Sequence, residues 1–242
     1  MKKLTFLLVA ICVSIVAFAQ NEKNIVFDAN AEVRNLKNFT SVEISGAIDL
    51  YLSQGNEEAV AVSATSAEII ERIRTEVKDG VLHIFMDGKG VNWKSWGNVK
   101  MKAYVTFKNL IGVEASGACN VKTTQIINVP SLRIQMSGAS DFIGDLKVST
   151  LKVDASGASN VRISGTTEKL AVDASGACNV RAYDLKSDYC EIEASGASNI
   201  RVRVNKELSA ESSGGSTVYF KGEGLIKNIY TSRQHFHTIT HL

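Results

Sequence analysis

The sequence predicts an all-β protein that winds into a parallel β-helix, a solenoid with coils of about 19 residues. Three observations support this fold class: a short motif recurs at a nearly constant interval, apolar and polar residues alternate before it, and each copy contains a glycine. Alternation with a period of two is typical of a strand with one buried face, and glycine allows the sharp turn that ends it. Stacked coils then bury each other's apolar faces.

The first residues of the chain have the features of a secretory signal peptide. Lys2 and Lys3 precede an apolar stretch from Leu4 to Phe18, and Ala17-Phe18-Ala19 has the small residues of a cleavage site. The stretch is shorter than the roughly 20 apolar residues that a membrane-spanning helix needs. We therefore expect cleavage after Ala19 and export to the periplasm, the outer-membrane surface or the extracellular space. We expect no transmembrane segment in the mature chain.

The charge balance argues against a nucleic-acid partner. The whole chain has 27 Lys and Arg against 25 Asp and Glu, and the signal peptide accounts for Lys2 and Lys3. The mature chain therefore has 25 of each (27 − 2 = 25) and is formally neutral. Nucleic-acid binders usually have a basic excess that neutralises phosphates.

Residues 39–110 have strand-like runs without a regular repeat. The predicted strands are Val42–Leu52, Val60–Ser63, Val81–Met86 and Val99–Phe107. Between them, Thr65-Ser66-Ala67-Glu68 resembles a capping box, and Ile69, Ile70, Ile73 and Val77 recur at helical spacing. This pattern predicts one short helix, which we expect to cap the open end of the solenoid.

One motif recurs through residues 111–224. Four copies of Ala-Ser-Gly-Ala-(Ser/Cys)-Asn-(Val/Ile) begin at Ala115, Ala155, Ala174 and Ala194, weaker copies begin at Met136 and Ser212, and an outlying copy begins at Ile44. From Ser116 onward the repeat serines lie 21, 19, 19, 20 and 18 residues apart. The fifth and third residues before each serine are apolar, with Cys190 in one core position, and the second is Glu, Asp or Gln. Each coil therefore begins with a half-buried strand.

These segments divide the chain into four predicted parts. They are the signal peptide (1–19), a lead-in (20–38), a single solenoid domain (39–224) with irregular (39–110) and regular (111–224) portions, and a C-terminal tail (225–242). The tail replaces the expected Ser- and Gly-rich coil with a histidine-rich sequence.

The Ser45-Gly46-Ala47-Ile48-Asp49 strand motif, the segment from Val77 to Ile84 and the Ser-Gly-Ala-(Ser/Cys)-Asn-Val repeats resemble one known family. It is the auto-transporter adhesin family with a head GIN domain, common in Bacteroidetes, and the resemblance runs from about Phe39 to Gly222. It implies an exported, envelope-associated or surface β-solenoid with no known catalytic residues to carry over.

The best ligand-binding candidates are Trp93 and Trp96. They are the only two tryptophans and lie in the glycine-flanked segment 88–98. Exposed aromatic rings stack on sugars at recognition surfaces, so this segment predicts a glycan or a surface protein as partner. The alternative is that both rings pack back onto the fold.

Three rows of polar residues should stack along the solenoid. They are an acidic row (Glu114, Asp154, Asp173, Glu193, Glu211), a basic row (Lys122, Arg162, Arg181, Arg201) and an asparagine row (Asn120, Asn160, Asn179, Asn199). The first two are predicted to be solvated faces, with Ca²⁺ as the alternative for the acids and neighbouring loops or an anionic glycan for the bases. The asparagines are predicted to be structural.

No cofactor or metal site is predicted. Cys119 and Cys178 hold the same place in coils that are three steps apart, about 14 Å, beyond the reach of a disulfide. With Cys190 they are predicted to be buried free thiols. His235, His237 and His241 have a spacing that a metal could use, but a chain terminus rarely gives ligands a fixed scaffold.

The functional prediction is a noncatalytic envelope or surface protein, an adhesin-like binding module rather than an enzyme. Acidic and basic residues are spread one per coil, with no compact acid pair, Ser/His/Asp set or phosphate loop. The alternatives are a structural envelope protein and, less favoured, a β-helix enzyme that acts on polysaccharides.

Overall fold

A computed structural model describes Asp28 and residues 30–89, 99–231 and 239–241 of this chain. Strands make up 68% of the chain and helix 3%, so the protein is all-β. The strands stack in parallel into a solenoid of about 6 turns, which confirms the predicted fold class.

The described residues form one short helix and seventeen strands. The N-terminal elements are β1 (Glu32–Arg34), β2 (Ser41–Gly46), β3 (Ile48–Gln54), β4 (Ala59–Ala64), α1 (Ala67–Arg72), β5 (Ile73–Lys78), β6 (Val81–Met86) and β7 (Met101–Phe107). The elements that follow are β8 (Gly112–Gly117), β9 (Asn120–Thr123), β10 (Ile127–Met136), β11 (Asp141–Ala155), β12 (Asn160–Ala174), β13 (Asn179–Ala194), β14 (Asn199–Ser212), β15 (Thr217–Lys221), β16 (Leu225–Thr231) and β17 (Ile239–His241).

Two ladders of strands run the length of the solenoid and meet at the glycine corner, and a shorter third ladder begins at Ile127–Val129 of β10. The first face, which precedes the glycines, has the order β5-β6-β2-β8-β10, continues through the last residues of β11 to β14, and ends at β16. The second face, which follows them, has the order β1-β4-β7-β3-β9, continues through the first residues of β11 to β14, and ends at β15 and β17.

The corner between the faces requires glycine for two independent reasons. Gly157 has φ +72, where residues with a side chain are strained, and a Cβ at this position would lie 2.5 Å from the carbonyl oxygen of Gly138. That oxygen instead accepts a hydrogen bond of 2.7 Å from the backbone N–H of Ala158. The same arrangement recurs along the stack at Gly117, Gly138, Gly176, Gly196 and Gly214.

The motif copy that begins at Ile44 is distant only in the sequence. Ser45 and Gly46 pair directly with Ser116 and Gly117, so β2 and β3 lie against β8 and β9. The intervening residues fold outward and place β6 and β7 on the opposite side of β2 and β3. The coil of residues 41–54 is therefore the second coil of the solenoid rather than the first.

Antiparallel strands cover the N-terminal end. β5 pairs with β6 on the first face, and β4 pairs with β7 on the second, with β1 beyond it. Helix α1 joins β4 to β5 and buries Ile69 and Ile70 in the core. The predicted short helix is confirmed, and it lies at the end that we expected it to cap.

The helix is shorter than its apolar spacing indicated. It ends at Arg72, and both Ile73 and Val77 belong to β5. Two side chains four residues apart lie on the same face of a helix and also on the same face of a strand. The spacing of Ile73 and Val77 therefore did not distinguish a helix from a strand. Ser66 is the N-cap but makes no side-chain capping hydrogen bond, so the predicted capping box does not form.

The interior is one apolar cluster with a polar column at the corner. Leu132, Leu151, Leu170, Cys190 and Leu208 occupy equivalent core positions and are buried. Each such leucine contributes about 1.5 to 3 kcal/mol through burial. The residues two positions after the corner glycines are also buried, and they are Cys119, Ser140, Ser159, Cys178, Ser198 and Ser216.

The predicted state of the cysteines is confirmed, since all three described thiols are free and buried. Cys178 donates a hydrogen bond to the carbonyl of Ser175 at 3.1 Å, as Ser159 does to Ser156 at 2.8 Å. Burial raises the pKa of all three thiols, that of Cys190 to about 11. Thiols in this state are poor nucleophiles.

Candidate functional site

A cleft of about 660 Å³ lies beside the ends of β3 and β7. The turn of residues 55–58 carries the chain from β3 over the end of β7 to β4, and the Gly55 N–H donates to the Phe107 carbonyl at 2.8 Å. Tyr51 and Tyr104 contribute aromatic rings, and the turn contributes amide and carboxylate groups. The volume lies within the range of roughly 300 to 1,000 Å³ that is usual for small-ligand sites.

The two tyrosines of the cleft are held as a pair. Tyr51 and Tyr104 are directly opposite in the β3–β7 ladder, with ring centroids 5.2 Å apart and an interplanar angle of 20°. The Tyr104 hydroxyl donates to Asp28 Oδ2 at 2.9 Å, and Lys102 Nζ lies 3.5 Å from the same oxygen. Burial and this carboxylate raise the pKa of Tyr104, which therefore stays neutral.

The carboxylate of Asp28 is held in its charged form. Burial alone would raise its pKa, but hydrogen bonds from Ser63 and Tyr104 outweigh burial, and the pKa is lowered. Asp28, the first described residue, is therefore held against β7 beside the cleft by its contacts with Tyr104 and Lys102.

Part of the polar lining of the cleft is already committed to internal hydrogen bonds. Gln54 bonds both the N–H and the carbonyl of Asn128, at 2.8 and 2.9 Å, and Ser53 lies 2.7 Å from the Thr124 hydroxyl. Within the described structure, the side chains of Asn56 and Glu57 have no such bond. They are exposed and available to a ligand.

The basic row lies on the second face, in line with the tyrosines of the cleft. The in-register column, from the N-terminal end, is Tyr104, Tyr51, Lys122, Ile143, Arg162, Arg181, Arg201 and Tyr219. Ile143 interrupts the basic residues.

The acidic row lies on the first face. The in-register column is Glu43, Glu114, Gln135, Asp154, Asp173, Glu193 and Glu211, so it also includes Glu43 from the second coil. Asp154 is paired with Arg133 at 2.8 Å and Lys152 at 3.4 Å, and Glu43 lies 3.0 Å from His83 Nδ1. Among the described residues, no group of three or more His, Cys, Asp or Glu side chains could hold a metal ion.

Several predicted residues lie outside the described ranges. Trp93 and Trp96 belong to the segment between β6 and β7, so their role in ligand binding stays a prediction. The same holds for His235, His237 and the predicted signal peptide.

The cleft was not predicted from the sequence. Tyr51 and Tyr104 are in predicted strand runs at outward positions, but they are 53 positions apart and neither is part of the repeat. Their one sequence signal is a large aromatic residue at a polar position of the alternation.

The described residues form a parallel β-solenoid with charged faces and a cleft at its irregular end, which is the architecture of a β-solenoid repeat protein. The family model described as "putative auto-transporter adhesin, head GIN domain" matches residues 38–224. The chain belongs to this family, as its repeat indicated. No curated protein matches the chain.

Solved structures share the fold at low sequence identity. A putative adhesin from Bacteroides fragilis has a TM-score of 0.76 and 20% identity, covering 83% of this chain and 92% of its own. A putative adhesin from Parabacteroides distasonis has a TM-score of 0.67 and 17% identity, covering 88% and 96%. A putative lipid binding protein from the same organism has a TM-score of 0.64 and 18% identity, covering 89% and 98%.

The family and two of these structures are described as putative adhesins and the third structure as a putative lipid binding protein, which is consistent with a non-catalytic surface or exported protein. Within the described ranges, no helix has the length and apolar character needed to cross a membrane.

Proposed function

We propose that this protein is an exported, noncatalytic adhesin-like module that binds a glycan in the cleft of Tyr51 and Tyr104. The observation that carries the proposal is the cleft itself, where paired aromatic rings lie beside hydrogen-bonding groups without internal partners. Sugars offer both apolar ring faces and hydroxyl groups, and aromatic and amide side chains are suited to bind them.

The arrangement of the reactive groups supports a noncatalytic role. Glycoside hydrolysis uses two carboxyl groups on either side of one bond, roughly 5 to 9.5 Å apart, in a shared site. The acids of the first face instead form a column along an open face, where Asp154 is already paired with two cations. Of the two described carboxylates that line the cleft, Glu58 accepts a hydrogen bond from the N–H of Asn38 at 2.7 Å. The buried thiols have raised pKa values.

A glycan array with the chain lacking residues 1–19 tests this proposal. Asn56→Ala/Glu57→Ala removes two exposed side chains of the cleft without breaking an internal bond of the described structure, and Tyr51→Ala removes a ring. We expect each change to weaken binding at least about tenfold, or about 1.4 kcal/mol. Glu223→Ala/Asn228→Ala, also exposed, and Tyr189→Ala are the matched controls outside the cleft. Equal binding by cleft variants and wild type contradicts the cleft assignment.

Trp93 and Trp96 are a second proposed glycan contact, carried by the aromatic content of their segment. Trp93→Ala/Trp96→Ala on the same array separates the two positions. Binding lost in this variant and retained in the cleft variants would place the site in the segment between β6 and β7.

We also propose that the chain is exported with cleavage after Ala19. Mass spectrometry of the protein recovered from its native cell envelope tests this, and a mature N-terminus at Gln20 is the expected result. An intact Met1 in that fraction would contradict it.

A further inference from the structure

We infer that the glycan is an acidic polysaccharide whose chain lies along the second face, across Lys122, Arg162, Arg181 and Arg201. This inference rests on the proposed glycan-binding function and names the class of glycan. The tyrosines of the cleft and these four cations occupy one column of the same ladder. A chain that enters the cleft therefore continues onto the basic row.

The arginines of this row are close together and alike in charge, and two of the three are exposed to solvent. Arg162, Arg181 and Arg201 are direct neighbours in successive coils, about 4.8 Å apart along the axis. Arg162 and Arg181 are exposed, and Arg201 is half-buried with its guanidinium 5.4 Å from the centre of the Tyr219 ring. Like charges directly opposite in a ladder are destabilising, so this row favours an anion that neutralises it.

No carboxylate of the described structure neutralises these cations. None of its ion pairs includes Lys122, Arg162, Arg181 or Arg201. On the first face, by contrast, Arg133 has Asp154 at 2.8 Å. Among the described residues, the second face therefore has a row of cations without the close ion pairs that the same fold provides on the first face.

The acidic residues nearest to the row are held elsewhere or make no ion pair with it. Asp49 and Asp141 are in the neighbouring column and accept hydrogen bonds from Asn120 and Asn160, at 2.7 and 2.8 Å. Asp145 and Asp184 are in the column on the other side of the row, where both align with Ser164, and they form no ion pair within the described residues.

Two of the arginines share one amide oxygen as a hydrogen-bond acceptor. The Asn179 amide lies between two guanidinium groups: its oxygen accepts from Arg201 Nη1 at 3.3 Å in one orientation, and from Arg181 Nε and Nη2 at 3.2 and 3.1 Å in the other. One neutral oxygen thus faces two groups that each carry several N–H donors. Carboxylate or sulfate groups on a ligand fit these planar donors in a bidentate manner.

The shape of the row favours a single polysaccharide chain over a nucleic-acid duplex. Outward residues on a strand are about 7 Å apart, so one or two columns form a narrow strip. The major groove of B-DNA alone is about 12 Å wide. The first face, which adjoins the second at the glycine corner, carries the acidic row, so a polyanion that wraps the rod meets repulsion there.

Binding of polygalacturonate to the chain lacking residues 1–19 tests the inference, with neutral dextran and single-stranded oligothymidylate as comparison polymers. Isothermal titration at low and high salt measures affinity. Arg162→Gln/Arg181→Gln/Arg201→Gln removes three charges from the row. Lys147→Gln/Lys169→Gln/Lys186→Gln removes three exposed charges outside it and is the matched control.

We expect wild type to bind polygalacturonate more tightly than both comparison polymers, and binding to weaken with salt. The arginine variant should bind at least about tenfold more weakly, and the lysine control less than about threefold. The inference is overturned if wild type does not bind polygalacturonate, if both triple variants lose affinity equally, or if oligothymidylate binds more tightly.

The cleft variant Asn56→Ala/Glu57→Ala separates this inference from the proposed cleft. Polygalacturonate binding that is lost in the arginine variant and kept in the cleft variant supports the basic row and contradicts the cleft. Neutral glycan binding that is lost in the cleft variant, with no binding of polygalacturonate by wild type, supports the cleft and overturns the basic row.

Discussion

The regular stack of residues 111–224 and the irregular end of residues 39–110 use the same strands for different purposes. In the stack, each coil repeats its corner glycine, core residue and surface residue directly over the coil before. In the irregular end, antiparallel strands and a helix interrupt the repetition, and the cleft lies there. Repetition gives the rod its length and stability, and departures from it create a recess for a ligand.

A corner glycine should be the most sensitive position in the stack. Gly157→Ala adds a Cβ 2.5 Å from a backbone oxygen at a φ of +72, and it should lower the free energy of unfolding by about 4 kcal/mol through strain and a lost hydrogen bond. Gly80→Ala, between β5 and β6, is the matched control: its φ is +77, but the nearest atom would be 3.9 Å away. It should cost only about 1 to 2 kcal/mol. Urea unfolding measures both, and equal losses would show that the close approach has no effect.

Substitution of a core leucine should cause the next largest loss of stability. Leu151→Ala in the stack removes a fully buried side chain that has coils on both sides, and it should cost about 3 kcal/mol. Ile69→Ala in α1 should cost less, about 2 kcal/mol, because the helix lies at the end of the rod and can relax. Urea unfolding of both variants measures the difference. A larger loss for Ile69→Ala would mean that the end limits stability.

High pH should weaken the stack. The pKa of Cys190 is about 11 in the folded chain and 9.0 ordinarily, so the folded state keeps a proton that the unfolded state loses. Stability that is present below pH 9 should fall between pH 9 and about 11, by about 1.4 kcal/mol per pH unit from this thiol. Cys190→Ala should have a shallower dependence over this interval. An unchanged slope in the variant would contradict a buried neutral thiol.

Low pH should produce the smallest effect, and it should act on the irregular end. The pKa of Asp28 is lowered in the folded chain, so its contribution is present above its ordinary value of 3.8 and is lost as the pH falls through the lowered value. The loss should be under about 1 kcal/mol, because the group makes few contacts beyond Ser63, Tyr104 and Lys102. Asp28→Asn should remove this part of the acid dependence, as followed by thermal unfolding from pH 5 to pH 2.

The fold could be predicted from the sequence where the local alternation of apolar and polar residues agrees with the packing of the whole solenoid. The alternation before each repeat serine correctly predicted the stack and the buried place of Cys190. It did not predict the contact of Gly46 with Gly117 or that of Tyr51 with Tyr104, because both depend on how the intervening chain folds outward. The extent of α1 was wrong because Ile73 and Val77 suit a strand equally well.

The pairing of residues 41–54 with segments on both sides affects how the molecule folds. The coil of residues 41–54 comes first in the sequence, but it lies between β6 and β7 on one side and β8 and β9 on the other. All four of these strands come later in the sequence. If coils are added in the order of synthesis, the rod must therefore grow from residues 41–54 in both directions. Residues 41–54 pair with strands as far along the chain as residue 123, and pairing at such a sequence separation is expected to be slow.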